Sequence, residues 1–239
     1  ARNSAATRVN KDGLIEEVAV NVPRLDYSDG GCPSLLLEPS RTNLIPYSED
    51  FTTWSQSGWT LTSGLLSPNG GLDAYSVLRT TGTTFAQSLT LSANTTYTFT
   101  SYIKNVNATN IQLRVQNQAG NTSGTESNCI VFSVTDQTND SDFTRITHTF
   151  NTGDAGSYIL FLGYYSAGEY IVWGAQLEQG SYPTSYIPNY GTSAGITRVA
   201  ETANGAGDAS TFNDSEGVLM VEISALVNDG NTFKGISLN

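Results

Sequence analysis

Apolar and polar residues alternate with a period of two through much of the chain. Tyr97–Lys104 (YTFTSYIK), Ile111–Gln118 (IQLRVQNQ), Cys129–Val134 (CIVFSV), Phe143–Phe150 (FTRITHTF), Tyr158–Tyr165 (YILFLGYY) and Tyr170–Leu177 (YIVWGAQL) each read as a strand. Ile111–Gln118 is the cleanest: Ile111, Leu113 and Val115 fall on one face, Gln112, Arg114, Gln116 and Gln118 on the other. Turn residues such as Gln118-Ala119-Gly120-Asn121 and Ser166-Ala167-Gly168 separate the segments. No 3.6-residue pattern runs beyond two turns. Strands at roughly 8–12-residue spacing predict an all-β antiparallel β-sandwich or barrel, with helix below ~10%. Ile111, Leu113, Val115, Leu160 and Leu162 are its expected core.

The flanks read differently. Residues 1–42 are predicted to form an extended N-terminal strap along a larger body, because too few apolar residues gather there for a core of their own. The main domain is predicted over 43–180, and 181–203, with Pro183, Pro188 and three tyrosines, reads as an ordered linker. Gly217–Leu226 and Phe233–Leu238 predict a C-terminal β-hairpin within 204–239. Two strands do not make a stable domain, so this segment either packs on another surface or opens a second sandwich.

Composition narrows the function. Eleven Lys and Arg stand against 22 Asp and Glu among 239 residues, a net charge of −11. Such a surface repels phosphate, and no basic cluster offsets it, so nucleic acid and anionic membranes are poor partners. No apolar run approaches the ~18 residues of a membrane span, and the N-terminal residues lack the apolar core of a signal peptide. Cys32 and Cys129 are the two cysteines and His148 the one histidine. The cysteines lie in unrelated segments and are expected to be free thiols, with one bridge joining strap to body as the alternative; no Cys/His spacing suggests zinc. His148, on the same strand face as Ile146 and Phe150, reads as a half-buried sheet histidine rather than a catalytic base. Glu126, Asp136, Asp140, Asp142 and Asp154 fall in loops, and no motif pairs two of them as glycoside hydrolysis requires. The chain is therefore read as a non-enzyme.

Four phrases carry a resemblance: ATRVNKDGLIEEV (6–18), NVPRLDY (21–27), CPSLLLEPSRTNLIPYSEDF (32–51) and YIVWGAQLEQGSYPTSYIPNYG (170–191). They resemble a recurrent domain of phage tail, fibre and head-spike proteins, which is itself similar to the jelly-roll carbohydrate-binding modules appended to xylanases and glucanases. The last 36 residues resemble the entry to a laminin G or concanavalin-type sandwich. The resemblance implies a jelly roll in a virion protein made in the host cytoplasm, a polysaccharide or cell-surface glycan as partner, and self-association as a fibre trimer. A spacer of a fibre or head decoration, and an accessory domain of a polysaccharide-degrading enzyme, are the alternatives.

Sugars stack their C–H faces on aromatic rings and take hydrogen bonds from planar polar side chains. Gln112, Arg114 and Gln116 project side by side at about 6.6–6.8 Å per step, with Tyr102 expected on a neighbouring strand. Trp54 and Trp59, in the polar segment TTWSQSGWT, are read as loop residues that either reach the ligand or fold back over the core edge. Trp173 is assigned to the core. No cofactor is required; a structural calcium is implied by the jelly-roll resemblance, with Glu49, Asp50 and Asp73 as candidate ligands. The final strand, WGAQLE, lacks the paired acids that carbohydrate modules often place there.

Overall fold

Period-two patterning becomes an antiparallel β-sandwich in the computed structural model, which describes residues 1–117, 129–153 and 155–202, with backbone alone for Thr83 and for 129–132. The predicted C-terminal hairpin lies outside the described residues. Among them, helix is confined to two three-residue 3-10 turns, Phe51–Thr53 and Thr135–Gln137, and no helix is long and apolar enough to cross a membrane.

The strands are β1 (Ala6–Val9), β2 (Ile15–Val18), β3 (Leu25–Asp26), β4 (Ser34–Leu35), β5 (Arg41–Asn43), β6 (Ser55–Leu65) and β7 (Ala74–Leu91). They continue as β8 (Thr96–Asn105), β9 (Gln112–Asn117), β10 (Cys129–Ser133), β11 (Thr144–Asn151), β12 (Gly156–Gly163), β13 (Glu169–Gln179) and β14 (Ile196–Arg198). Eight of them pair in the order β10-β9-β12-β7-β13-β8-β11, with β6 also on β7. The 18-residue β7 is the corner. Its first part pairs with β13 from Tyr75 to Leu78, and its last part with β12 from Phe85 to Leu91, so one strand belongs to both layers.

Alternation determines what lies between the layers. Leu113 and Val115 on β9 and Tyr158, Leu160 and Leu162 on β12 share one buried cluster with Phe99 and Ile103 on β8, Ile146 and Phe150 on β11, and Val172 and Leu177 on β13. Ile111, just before β9, is fully buried in it, and all five predicted core residues are inside. His148 is half-buried beside Phe150, and burial lowers its pKa.

The hairpin β6–β7 was not legible as strand, and TTWSQSGWT is a correction: Trp59 lies within β6 and Trp54 immediately before it. Gly58 and Gly82 face each other across this pair. A Cβ on Gly58 would lie 2.0 Å from the Gly82 nitrogen, and one on Gly82 would lie 2.1 Å from the Ser57 carbonyl oxygen. The pair therefore closes only with glycine at both positions, around a register shift between Ser57 and Trp59.

The N-terminal residues and the 181–202 segment cover the outer face of the β13–β8 layer. Ile15, Val9 and Tyr186 pack on Trp173, Tyr102 and Ile171. Beneath Thr184–Ile187, Gln176 and Glu178 are fully buried: Glu178 accepts from the Thr184 amide (2.7 Å) and hydroxyl (2.7 Å), and Gln176 accepts from the Ile187 amide (2.7 Å). β14 pairs with β5, returning the chain to the strap. Cys32 is a free, exposed thiol; the Cys129 side chain is outside the described residues.

A buried ion network fastens these segments. Arg24 donates to Glu38 (2.8 Å), to both oxygens of Glu201, to the Thr7 carbonyl (2.8 Å) and to the Ser185 hydroxyl (2.7 Å). Arg198 lies 3.0 Å from Glu38 and donates to the Pro39 carbonyl, while Arg2 reaches Glu201 at 3.2 Å. Every one of these five side chains is at most 6% exposed. Removing one partner strands a charge away from water, which typically costs about 3–5 kcal/mol. Burial raises the Glu38 pKa, but Arg198, Ser185 and Arg24 outweigh it, so the net shift is downward. That stability is present above the ordinary glutamate range and lost as pH falls through the lowered value. Glu38→Gln is expected to lose about 3–5 kcal/mol in denaturant unfolding at neutral pH and to flatten the acid limb of the stability profile. A loss under about 1 kcal/mol would show that the network is dispensable.

Candidate functional site

The outer face of the β9–β12 layer is left open by the strap. Gln112, Arg114 and Gln116 stand on it, each half-exposed, along one strand. Arg114 pairs with Phe161 of β12, and Gln116 with Ile159. The Arg114 guanidinium lies 5.4 Å from the Phe161 ring centroid and 4.3 Å from that of Tyr164. Tyr164 meets Tyr165 edge-on at 4.7 Å, and Arg79 covers Tyr165 at 5.0 Å. The result is a continuous series Arg114, Tyr164, Tyr165, Arg79, running from the sheet face to the β12–β13 loop.

Two features of this series suit ligand contact. Tyr165 is 50% exposed, and its backbone holds a left-handed φ of 52°, a conformation that costs a non-glycine residue energy. Guanidinium groups stacked on rings are held in place by the ring faces. Arg114 occupies a face of Tyr164, so this ring is not a bare stacking platform.

Other predicted site residues lie elsewhere. Tyr102 is on β8, and β12, β7 and β13 intervene between β8 and β9. Its ring packs against Trp173 (5.4 Å) and Tyr186 (6.3 Å), with Arg145 5.5 Å from its centroid, on the covered side of the sandwich. It does not join Gln112, Arg114 and Gln116. Trp54 and Trp59 are 3% and 8% exposed. They pack on Phe85 at 5.8 and 5.7 Å, and Trp59 also meets Tyr170 edge-on. Of their two placements, the core one holds, because the segment that carries them is a strand end with its indoles turned inward. Trp173 is fully buried, as assigned. Phe161 and Arg79 were not singled out from the sequence.

Glu49, Asp50 and Asp73 do line one cleft, of about 520 Å³, with Tyr47, Tyr75, Tyr190, Leu72 and Ser63. They do not fit a calcium. Asp73 is held by Ser67 and by Asn69 (3.0 Å), Asp50 by Thr52 and Tyr75, and Glu49 by the Tyr186 hydroxyl (2.9 Å). Calcium needs six to eight oxygens converging at about 2.3–2.6 Å, and no three His, Cys, Asp or Glu groups converge among the described residues. Burial, with a smaller push from Asp73 and against the Tyr186 hydrogen bond, raises the Glu49 pKa to about 7.

The sequence matches no family model and no curated protein. Among solved structures it is similar to the CBM22-1 xylan-binding domain of Paenibacillus barcinonensis Xyn10C, at 13% identity and TM-score 0.40, covering 60% of this chain and 94% of that one. It is also similar to the Clostridium thermocellum Xyn10B CBM22-1–GH10 modules, at 15% identity and TM-score 0.43, covering 64% and 30%. The enzymatically active domain of bacteriophage CBA120 tailspike protein 4 gives 13% identity and TM-score 0.42, covering 58% and 21%. The chain thus spans nearly all of the first and under a third of the other two. These likenesses are too distant to say what it binds.

Two outcomes follow from these placements. Trp54→Ala and Trp59→Ala should each lose about 3–5 kcal/mol of stability by opening the core, with ligand affinity of the folded fraction unchanged; calorimetric melting beside binding titration separates the two. Folded Glu49 retains a proton that the unfolded chain releases, so its contribution is full below about 4.5 and lost as pH rises through about 7. Stability measured across that window should fall in the native chain and stay flatter in Glu49→Gln.

Proposed function

We propose that the chain is a non-catalytic carbohydrate-binding module of a phage virion protein, which recognises a glycan through the open β9–β12 face. What carries this reading is the contrast between the two outer faces. One is sealed, with Thr98, Thr100, Trp173, Gln176 and Glu178 at most 1% exposed, while the other presents Gln112, Arg114 and Gln116 beside Phe161, Tyr164 and Tyr165. Planar donors at successive steps of about 6.6–6.8 Å suit the hydroxyl edges of consecutive sugar units, and the exposed ring of Tyr165 offers a partner for a C–H face. Hydrolysis would need two carboxyls across the ligand. The described outward positions of this face, Gln112, Arg114, Gln116, Ser157, Ile159, Phe161, Ser88 and Thr90, include none.

The virion setting, a host-surface glycan and assembly as a fibre trimer rest on the sequence phrases alone. A glycan array, followed by calorimetric titration of any hit, tests the binding. Arg114→Ala should weaken it at least about tenfold, roughly 1.4 kcal/mol or more, while lowering the melting temperature by only a few degrees, because the residue is half-exposed. An array without a hit would favour an architectural spacer, and equal losses of affinity and stability would place Arg114 in the framework.

A further inference from the structure

The cleft around Glu49 and Tyr47 has walls of a different chemistry from the sheet face. Tyr47 is 41% exposed, Tyr190 72% and Leu72 70%, so aromatic and aliphatic surface faces solvent there without a covering segment among the described residues. The two outer tyrosines are rigidly founded. Each adjoins a residue of a fully buried pair: the Ser48 amide donates to the Asn189 carbonyl (2.8 Å), and the Asn189 amide to the Ser48 hydroxyl (2.8 Å). Tyr47 also lies against Gly191, where a Cβ would come within 2.8 Å of its ring. Backbone held in this way at both tyrosines, and the Tyr47 ring against Gly191, preorganises the cleft wall.

The charge of the cleft is one-sided. Glu49, Asp50 and Asp73 line it, and no Lys or Arg does. The field acts on the groups around it: the Tyr190 pKa is raised to about 12 by burial and by Glu49, Glu17 and Asp73, and that of Tyr75 is raised by burial, Asp50 and Asp73. A metal ion would need converging oxygens, which are absent among the described residues. An ammonium group is larger, attracted to ring faces, and satisfied by carboxylates dispersed around them. At about 520 Å³ the cleft is within the usual range for a small-molecule site.

We infer that this cleft is a second binding site, separate from the β9–β12 face, for an organic ammonium group carried on a sugar: a hexosamine unit with a free amine. The charged amine sits beside Asp50 and Asp73, with the protonated Glu49 carboxyl next to them as a neutral polar group, and the pyranose C–H face lies on Tyr47 or Tyr190. The choice of a sugar as carrier rests on the glycan reading above; the selection for an organic cation does not.

The test is calorimetric titration of the chain with a glucosamine oligomer and with its N-acetylated counterpart, below the pKa of the sugar amine. The free-amine oligomer should bind at least about tenfold more tightly, and added salt should weaken it. Tyr190→Ala and Asp50→Asn should each cost at least about fivefold, roughly 1 kcal/mol. Tyr190 is largely exposed, so its variant keeps the test valid if Asp50→Asn is unstable. Equal affinity for the two oligomers overturns the proposal, as does affinity unchanged in both Tyr190→Ala and Asp50→Asn. Tighter binding of a lysine tetrapeptide would give the cleft to a protein partner and overturn the sugar assignment. If no neutral glycan binds on the array but the glucosamine oligomer does, the sheet-face reading falls and this one stands.

Discussion

Three arginines and two glutamates, withdrawn together from water, hold the periphery of this protein to its sandwich. Desolvating five charges is expensive, and mutual attraction repays it only when the remaining donors and acceptors are also satisfied. Here much of that comes from the backbone: Arg24 takes the Thr7 carbonyl, Arg198 that of Pro39, and Arg2 those of Val18 and Ala19. Glu38 in turn accepts from the amide and hydroxyl of Ser185. The network therefore forms only when residues 2–38, 185 and 198–201 are all in place. That is a registration device for chain segments whose strands are two to four residues long, too short to fix their own pairing.

Registration of the strap has a consequence for binding. A two-layer antiparallel sandwich starts with two outer faces, either of which can take a ligand. Fastening the first and last described segments over Trp173, Tyr102 and Glu178 fills one of them with protein. Among the described residues nothing is fastened over the β9–β12 face, and its aromatic series extends to a loop where Tyr165 is held in an unfavourable backbone conformation. The fastened face and the face carrying Gln112, Arg114 and Gln116 are thus opposite sides of the sandwich.

Legibility in the sequence followed the same division. Strands β8 to β13 could be read because each alternates cleanly, and their five expected core residues are buried. β6 and β7 escaped because Ser, Thr and Gly fill the outward positions of a hairpin whose close approach depends on Gly58 opposite Gly82, a relation between distant residues that no local pattern reveals. The same oversight turned Trp54 and Trp59 into ligand candidates. Gln112, Arg114 and Gln116 were legible as a row because one strand carries them all. Tyr102 was misjudged as their neighbour because strand order is a property of the whole sheet. Arg79 and Tyr165 come together from β7 and the β12–β13 loop, which sequence spacing does not encode.

The phrases that carried the family resemblance turn out to be the fastenings. Arg24 and Glu38 belong to the ion network; Asn43 donates to the carbonyls of Ala175 and Ile187 and accepts from the amides of Ile45 and Leu177. Ser48 pairs with Asn189, and Gln176 and Glu178 hold Thr184–Ile187. Each of these buried groups is committed to backbone or charge partners. A signature made of such residues specifies how the sandwich is wrapped and leaves the β9–β12 face outside its terms. Arg114, Tyr164 and Tyr165 lie outside those phrases, so the residues that wrap the sandwich and those of the proposed face are separate sets, as expected where function is grafted onto a fold.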